Sequence, residues 1–332
     1  MYNDVKSLHI ELTDKCNARC PQCIRNDEQT CKPHNWLLNV ELSIEDIKSI
    51  LPENDLKNIQ RINFCGNYGD PLVTKDFLDI IKYVYSVNES IEVEVSTNGS
   101  LRTEEWWWEL STIVHQKPFH IVFGIDGTNQ YEHSLYRVNT SFKKVIENAK
   151  FFIENGGTAI WQYLIFAHNE LSISTARRMA KELGFKDFVP ITTDRFWQGG
   201  SLTYNYKGNE YILERSTQKP NKKQLAGFTD ETSKTINCFA QQRQEAYIDC
   251  LGYVTPCCYL GLYLYSFITN KKVRPEQFFK KEDLNNLHAV NKGIGNVVKN
   301  KWFTNLVELH KQLLPKRCYN VCGKETIKEN IL

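Results

Sequence analysis

The stretch CNARCPQC, residues 16–23, places three thiols on one short segment near the start of the chain. Cys16, Cys20 and Cys23 have the spacing C-x3-C-x2-C. Structural zinc sites usually take four ligands in paired knuckles, and no second pair lies nearby. A cubane iron–sulfur cluster takes one cysteine for each of its four irons, so three thiolates leave one iron open to a small molecule. The spacing therefore favours a cubane with a vacant corner.

Outward from this stretch, the first two-thirds of the chain alternates between strand and helix patterns. Runs rich in β-branched or aromatic residues predict six strands, at Leu8–Leu12, Ile62–Gly66, Val93–Thr97, His120–Asp126, Ala159–Phe166 and Phe188–Thr193. Apolar residues at helical spacing lie between them, and Ser43, with Asp46, and Thr74 are predicted helix N-caps. Strand–helix alternation implies a parallel sheet. Six units are too few for a closed eight-stranded barrel, so we expect an α/β fold with a partial (β/α)6 barrel.

Polar side chains follow the first five predicted strands. Cys16 comes after the first strand, and Asp70, Asn98, Asp126 and Asn169 come after the next four in order. Folds of this kind carry their chemistry at the carboxyl ends of the strands. We therefore expect these residues to share one site with the cysteine segment.

Composition excludes several classes of function. The net charge of +2 over 332 residues gives no sign of a nucleic-acid-binding or membrane-binding surface. No run of about 18 apolar residues predicts a spanning helix, and the first residues do not resemble a signal peptide, so we expect a cytoplasmic protein. Eleven cysteines are many for such a chain, and in a reducing compartment clustered cysteines more often bind metal or do redox chemistry.

A second set of cysteines, Cys238, Cys257, Cys318 and Cys322, lies in the last third of the chain. Residues 250–257 predict a β-hairpin with Gly252 in its turn, which would deliver Cys257 to a metal. Four thiolates in two arms could bind structural zinc or one iron–sulfur cubane. The remaining cysteines outside both sets are expected to pack in the interior, as free cysteines often do: Cys31, Cys65, Cys250 and Cys258.

The pattern of the middle of the chain differs from both ends. Residues 197–237 are rich in Gly, Asn and Lys, and we interpret them as a linker or active-site loop. Trp197, Tyr204 and Tyr206 on this loop are candidates for substrate contact. The predicted organisation is thus a barrel over residues 1–196, the loop over 197–237, and a small cysteine-rich α+β domain over 238–332.

Together these motifs resemble the radical S-adenosylmethionine (radical SAM) family. The C-x3-C-x2-C segment after the first strand is followed by Gly69-Asp70-Pro71, similar to the family's Gly-Glu-Pro segment, with Asp in place of Glu. STNGS (96–100), GIDGT (124–128) and AHNE (167–170) resemble later family segments. Two departures are Gly124, where the family usually has Ser, and Gln22, where it usually has an aromatic residue against the adenine. The amide of Gln22 could still hydrogen-bond the base.

The resemblance implies an enzyme and a ligand site. A 4Fe-4S cluster on Cys16, Cys20 and Cys23 would bind the amino and carboxylate groups of S-adenosylmethionine. One electron would cleave the sulfonium to a 5′-deoxyadenosyl radical, which abstracts a hydrogen atom from the substrate. Asp70 would hold the ligand's amino group and Arg137 would lie near its carboxylate. The implied cofactor-binding residues are Gly69, Asp70, Pro71, Ser96, Asn98, Asp126, Arg137 and Asn169.

The last third of the chain resembles the family's twitch extension, the short form of the SPASM domain. This implies an auxiliary 4Fe-4S cluster on Cys238, Cys257, Cys318 and Cys322 that assists electron transfer. The substrate would be a small sugar-like or nucleoside-like molecule or a peptide side chain, the latter making the protein a maturase of a ribosomal peptide. The implied reductant is a flavodoxin or ferredoxin. The alternative of another class is a zinc-binding interaction protein that contacts nucleic acid.

Overall fold

An eight-stranded, mainly parallel sheet forms the centre of the fold. The computed structural model describes residues 5–193, 195–196, 199–218, 234–269, 279–303, 318 and 321–325. The strands are β1 (Ser7–Ile10), β2 (Arg61–Phe64), β3 (Glu92–Thr97), β4 (Phe119–Gly124), β5 (Ala159–Ile165), β6 (Asp187–Thr192), β7 (Ser201–Tyr206), β8 (Asn209–Glu214), β9 (Lys234–Ile236), β10 (Glu245–Ile248), β11 (Val254–Thr255) and β12 (Gly323–Glu325). Strands β1 to β6 lie side by side in chain order and all run parallel.

Helices follow most of the strands along the chain. They are α1 (Ile44–Ile50), α2 (Glu53–Leu56), α3 (Phe77–Val87), α4 (Glu104–Ile113), α5 (Gln130–Tyr136), α6 (Phe142–Glu154), α7 (Ile173–Glu182), α8 (Phe239–Gln242), α9 (Cys258–Ile268), α10 (Lys281–Leu287) and α11 (Ile294–Val297), with short 3-10 helices at Pro71–Val73 and Glu170–Ser172. Apolar residues of the strands pack with those of α3, α4 and α6 in one core. The partial α/β barrel expected from the sequence is confirmed.

Two more strands extend the sheet beyond β1. β10 pairs with β1 in parallel, from Ser7 opposite Glu245 to Ile10 opposite Ile248, and β11 pairs with β10 in antiparallel fashion. The turn between them contains Gly252, whose φ of +83° favours glycine. The hairpin expected around this glycine therefore exists, but it belongs to the main sheet. The proposed division at residue 238 lies between the two cysteine sets, but strands on both sides of it belong to the same sheet.

Part of the segment predicted as a loop is a β-hairpin. β7 and β8 pair from Ser201 opposite Glu214 to Tyr206 opposite Asn209. The turn residues Lys207 and Gly208 both have positive φ, +50° and +83°, as a two-residue hairpin turn requires. The alternation of polar and apolar residues on either side of Lys-Gly was the missed signal. Trp197 and residues 219–233 lie outside the described part of the chain.

The tyrosines of the hairpin occupy fixed positions. Tyr204 is buried and its hydroxyl donates to the Leu135 carbonyl oxygen at 2.7 Å, so its ring packs in the fold. The Tyr206 hydroxyl donates to Asn139 Oδ1 at 2.9 Å. Neither ring is free to move towards a ligand without breaking a hydrogen bond.

Two predicted helix starts had different outcomes. Ser43 Oγ accepts from the Asp46 amide at 3.1 Å and Asp46 Oδ2 accepts from the Ser43 amide at 2.9 Å, so the capping box is confirmed. Thr74 is not the N-cap of α3, because it ends the 3-10 helix Pro71–Val73 and Asp76 takes the N-cap position. None of the helices in the described segments is long and apolar enough to cross a membrane.

Candidate functional site

The loops that follow β1 and β2 are in direct contact at Gly69. A Cβ atom on this residue would lie 1.8 Å from the Thr13 carbonyl oxygen, so only glycine fits there. The Asp70 amide donates to the Lys15 carbonyl oxygen at 2.9 Å. The Gly-Asp-Pro segment is thereby held one residue from Cys16.

Asp70 anchors the ends of two strands. Its buried carboxylate accepts from the Leu72 amide at 3.0 Å and from Thr97 Oγ1 at 2.9 and 3.0 Å. It also accepts from the amide and the side chain of Asn98, at 2.8 and 2.6 Å. Burial raises the pKa of Asp70, while these donors oppose the rise. The structure thus brings Asp70 and Asn98 together, as the sequence predicted.

Cys16 lies beside this pair. Asn98 Nδ2 is 3.8 Å from Cys16 Sγ and donates to Asn17 Oδ1 at 2.9 Å. Burial raises the pKa of the Cys16 thiol, and the charges of Asp70, Cys20 and Cys23 raise it further. The three thiols therefore lie within electrostatic range of one another. Coordination to a metal is the chemistry that would hold such thiols as thiolates, because a coordinating thiol is deprotonated outright.

Arg137 connects the fourth strand to the cysteine segment. Its Nε donates to Asp126 Oδ2 at 2.6 Å, and Asp126 Oδ1 accepts from the Leu164 amide at 2.6 Å. Arg137 also hydrogen-bonds Cys20; burial raises the pKa of that thiol to about 12 even though the guanidinium acts in the opposite direction. Arg137 is mostly buried rather than a surface residue.

The guanidinium of Arg137 explains Gly124. A Cβ atom on Gly124 would lie 2.5 Å from Arg137 Nη2. A serine at this position would have to displace a guanidinium that is hydrogen-bonded to both Asp126 and Cys20. The Arg137 guanidinium therefore occupies the space that a serine side chain would need at position 124.

Three other residues predicted to bind the ligand make contacts within the protein itself. Asn169 is fully buried; its Oδ1 accepts from the Phe166 amide at 2.8 Å and its Nδ2 donates to the Asp126 and Leu164 carbonyl oxygens at 3.1 and 3.0 Å. Pro71 begins the 3-10 helix. Ser96 hydrogen-bonds the Cys65 thiol. Direct contact of these three residues with a ligand stays a prediction.

Sequence reasoning missed Arg195, which follows β6. The buried Gln22 donates from Nε2 to the Arg195 carbonyl oxygen at 3.2 Å, and Arg195 Nη1 is 3.5 Å from the Gln22 carbonyl oxygen. Gln22 Oε1 is buried and has no hydrogen-bond partner among the described residues. The signal was available, because Arg195 lies just past a predicted strand, as the recognised site residues do.

The second cysteine set is assembled by the pairing of β9 with β12. The Asn237 amide donates to the Cys322 carbonyl oxygen at 2.8 Å. A hydrogen bond between the thiols of Cys238 and Cys322 lowers the pKa of Cys238 to about 6 and raises that of Cys322. Burial raises the pKa of Cys318 to about 12, and the charges of Cys257 and Cys238 add to the rise. All four predicted ligands therefore lie near one another.

The remaining cysteines belong to neither predicted ligand set. Cys31 and Cys250 are buried among apolar and aromatic side chains. Cys250 lies in the β10–β11 turn. The pKa of Cys258 is raised mainly by burial and then by the charges of Cys257 and Cys65. Their packing role agrees with this burial.

Across the described residues, no three Cys, His, Asp or Glu side chains converge closely enough to hold one metal ion. A structural zinc site needs four ligands around a single ion. In a cubane each cysteine binds a different iron, so its ligands need not converge on one point.

Comparison with known proteins identifies the family. The family model of the Radical SAM superfamily matches residues 10–183. GTP 3',8-cyclase from Clostridium perfringens is 31% identical over 100 residues, which cover 30% of this chain and 28% of that protein. The probable GTP 3',8-cyclase from Methanosarcina mazei is 35% identical over 99 residues, covering 29% and 27%. The chain thus matches less than a third of the length of these relatives.

Solved structures share the fold over a much longer stretch. Streptococcus suis SuiB superposes with a TM-score of 0.61 at 13% identity, covering 98% of this chain and 73% of SuiB. The enzyme anSMEcpe with bound AdoMet gives a TM-score of 0.58 at 16% identity, covering 96% and 85%. The superfamily uses a 4Fe-4S cluster and S-adenosylmethionine, and the residues around Cys16 suit both. The chain is an enzyme that belongs to the radical SAM superfamily.

Proposed function

We propose that Cys16, Cys20 and Cys23 hold a 4Fe-4S cluster at which S-adenosylmethionine is reductively cleaved. The observation that carries this proposal is the grouping of three buried or half-buried thiols beside Asp70 and Arg137, at the carboxyl ends of the strands. When bound, the cluster supplies one electron that cleaves the sulfonium to a 5′-deoxyadenosyl radical. A flavodoxin or ferredoxin is the proposed source of that electron.

Asp70 and Arg137 provide opposite charges for the two ends of the ligand's amino-acid group. Donors from Leu72, Thr97 and Asn98 already occupy the lone pairs of the Asp70 carboxylate. Asp70 therefore attracts the ligand ammonium mainly by its charge, since its carboxylate is rigidly held. Arg137 faces the ligand carboxylate with the guanidinium nitrogens that Asp126 leaves free.

The second cysteine set is proposed to hold an auxiliary 4Fe-4S cluster. Cys238, Cys257, Cys318 and Cys322 supply one thiolate for each iron, so no iron is left open for substrate. Electron transfer is then the natural role of this cluster. It would accept the second electron from a substrate radical, or pass electrons to the first cluster.

Two substrate classes are proposed. A nucleoside-like small molecule is supported by the relatives named GTP 3',8-cyclase. A peptide side chain is supported by the long fold similarity to SuiB, which has also been crystallised bound to the precursor peptide SuiA. Incubating the reduced enzyme with S-adenosylmethionine and either GTP or candidate peptides, followed by mass spectrometry, separates the two classes.

The test of the central proposal is anaerobic reconstitution followed by a cleavage assay. Protein with both cubanes should be brown and contain about eight irons. With dithionite it should form 5′-deoxyadenosine, and Cys16→Ala, Cys20→Ala or Cys23→Ala should abolish this product. Cys31→Ala, which removes a buried cysteine outside both sets, is the control and should retain it. Colourless protein with stoichiometric zinc, or cleavage that survives in the Cys16→Ala variant, would contradict the proposal.

A further inference from the structure

Each thiol of the first cysteine set lies near a polar side chain from a different part of the chain. Asn98, after β3, points Nδ2 towards Cys16 Sγ at 3.8 Å. Arg137, which binds the carboxylate that follows β4, hydrogen-bonds Cys20. Arg195, after β6, lies within electrostatic range of Cys23. Two of these three groups are guanidinium cations.

The position of Arg195 is set by a reciprocal contact with the cysteine segment. Gln22 donates from Nε2 to the Arg195 carbonyl oxygen at 3.2 Å, while Arg195 Nη1 approaches the Gln22 carbonyl oxygen at 3.5 Å. These contacts join Gln22 and Arg195, which are 173 positions apart in the chain. The guanidinium is therefore held against the residue that immediately precedes Cys23.

Arg137 and Arg195 differ in whether a carboxylate lies beside the guanidinium. Arg137 is paired with Asp126 at 2.6 Å, so the two charges largely cancel at a distance. Within the segments that the structure describes, no carboxylate lies within ion-pair distance of Arg195. The Tyr136 hydroxyl and Cys23 raise the pKa of Arg195, and no carboxylate is among the main causes of that rise. Among the described residues, the positive charge beside Cys23 thus has no carboxylate partner.

We propose that Arg195 is an electrostatic tuning residue of the first cluster, raising its reduction potential. This inference rests on the proposed function of Cys16, Cys20 and Cys23. Reduction adds one negative charge to a cluster, and a nearby fixed cation stabilises the more negative state. Net charge, hydrogen bonds to the sulfurs and solvent exposure are the factors that set such potentials. Because Arg195 is exposed, solvent screening limits the effect to a moderate one.

The experiment is a redox titration of the reconstituted holoenzyme, with dithionite as reductant and paramagnetic resonance as the readout. The signal that changes when S-adenosylmethionine is added identifies the first cluster, and its potential is measured before that addition. Arg195→Leu should lower the reduced-to-oxidised ratio at a fixed potential about tenfold, which corresponds to about 59 mV for a one-electron couple. Arg195→Lys keeps the charge and should keep most of the potential.

Two further variants make the result decisive. Arg195→Gln keeps a hydrogen-bond donor without the charge and should shift the potential as Arg195→Leu does; it also serves if the leucine variant binds less iron. Arg178→Leu removes an exposed arginine of α7, which is paired with Glu182 at 3.7 Å, and should cause no shift. An unchanged potential in both neutral variants overturns the inference, as does an equal shift in Arg195→Lys.

Failure of this inference differs from failure of the proposed function. A holoenzyme with no signal that responds to S-adenosylmethionine would refute the first cluster itself. A responsive signal whose potential ignores the charge at residue 195 would refute only the role of Arg195. A potential that is unchanged while substrate binding weakens would assign the residue to substrate recognition instead.

Discussion

Gly124 shows how a single missing methyl group shapes the site. The space above its Cα is filled by the Arg137 guanidinium, 2.5 Å from where a Cβ atom would be. That guanidinium cannot swing away freely, because it is bound to Asp126 and Cys20. The position therefore selects glycine for a packing reason, and its φ is not in the left-handed region.

Gly124→Ala should destabilise the protein by about 1–3 kcal/mol, the usual cost of overpacking a well-packed interior. The readout is the free energy of unfolding from urea denaturation. Gly200→Ala is the matched control, because no described residue other than its chain neighbours has an atom within 4 Å of a Cβ at that position. Equal free energies of unfolding for the two variants would show that the Arg137 side chain can move aside without destabilising the protein.

Another single residue, Glu11, should make the stability of the protein depend on pH. This buried carboxyl accepts from the Tyr68 and Gly69 amides at 2.5 and 3.1 Å and from the Tyr247 hydroxyl. Burial raises its pKa from 4.5 to about 7, although these donors oppose the rise. Between these pH values the folded protein keeps a proton that the unfolded chain releases, so stability falls as the pH rises.

Glu11→Gln should remove part of that pH dependence. From about pH 6 to about pH 8, the wild type should lose about 1 kcal/mol more stability than the variant. Urea denaturation at both pH values measures the difference. Asp249, whose pKa burial raises to about 7, remains in both proteins, so the variant should still show some decline. Parallel pH profiles would contradict the raised pKa of Glu11.

At the scale of elements, the start of α9 separates two adjacent cysteines. Cys257 precedes the helix and packs with Cys238 in the second cysteine set, whereas Cys258 is the first helical residue and lies within range of Cys65. The change from strand to helix at this point turns the two side chains to different surroundings. We therefore propose Cys257, and not Cys258, as a ligand of the auxiliary cluster.

Cys257→Ala should therefore lower the iron content of the reconstituted protein from about eight to about four. Cys258→Ala should retain the iron, which makes it the matched control. Iron analysis with an assay of 5′-deoxyadenosine measures both effects, and cleavage should persist in each variant. Iron loss in the Cys258 variant alone would reverse the assignment.

At the scale of the whole molecule, the main sheet joins strands from the first and the last third of the chain. β1 lies between β2 and β10, so its central position depends on residues more than 200 positions away. Buried polar contacts reinforce this arrangement: Tyr265 donates to Asp14 Oδ2 at 2.6 Å, and Asn67 Nδ2 donates to the Cys258 carbonyl oxygen at 3.2 Å. The last third of the chain therefore contributes a strand and hydrogen bonds that stabilise the barrel.

A chain ending at residue 237 should consequently fail to fold. It would leave the β1 edge unpaired and Glu11 without its Tyr247 partner, and an unpaired buried polar group costs about 1–3 kcal/mol. Circular dichroism and limited proteolysis measure the outcome. The full chain with Cys318→Ala and Cys322→Ala is the control, since it lacks two proposed ligands but keeps β10, and it should stay folded. A stably folded short chain would support an independent barrel domain.

The sequence by itself determined the six strand–helix units, the first cysteine set and the polar residues at the strand ends. These features depend on local patterns: periodicity sets each element, and the C-x3-C-x2-C spacing sets a ligand segment. The predicted strands differ from the observed ones by only a few residues at their ends. The hairpin at Lys207-Gly208 also had a local signal, which was overlooked.

Only the tertiary structure decided the place of β10 beside β1, the fit of Arg137 over Gly124 and the contact of Arg195 with Gln22. The first and the last of these join residues far apart in the chain, the second joins neighbouring elements, and no short-range pattern specifies any of the three contacts. Their physical basis is steric fit and the need of buried polar groups for partners, which arise only once the sheet is assembled.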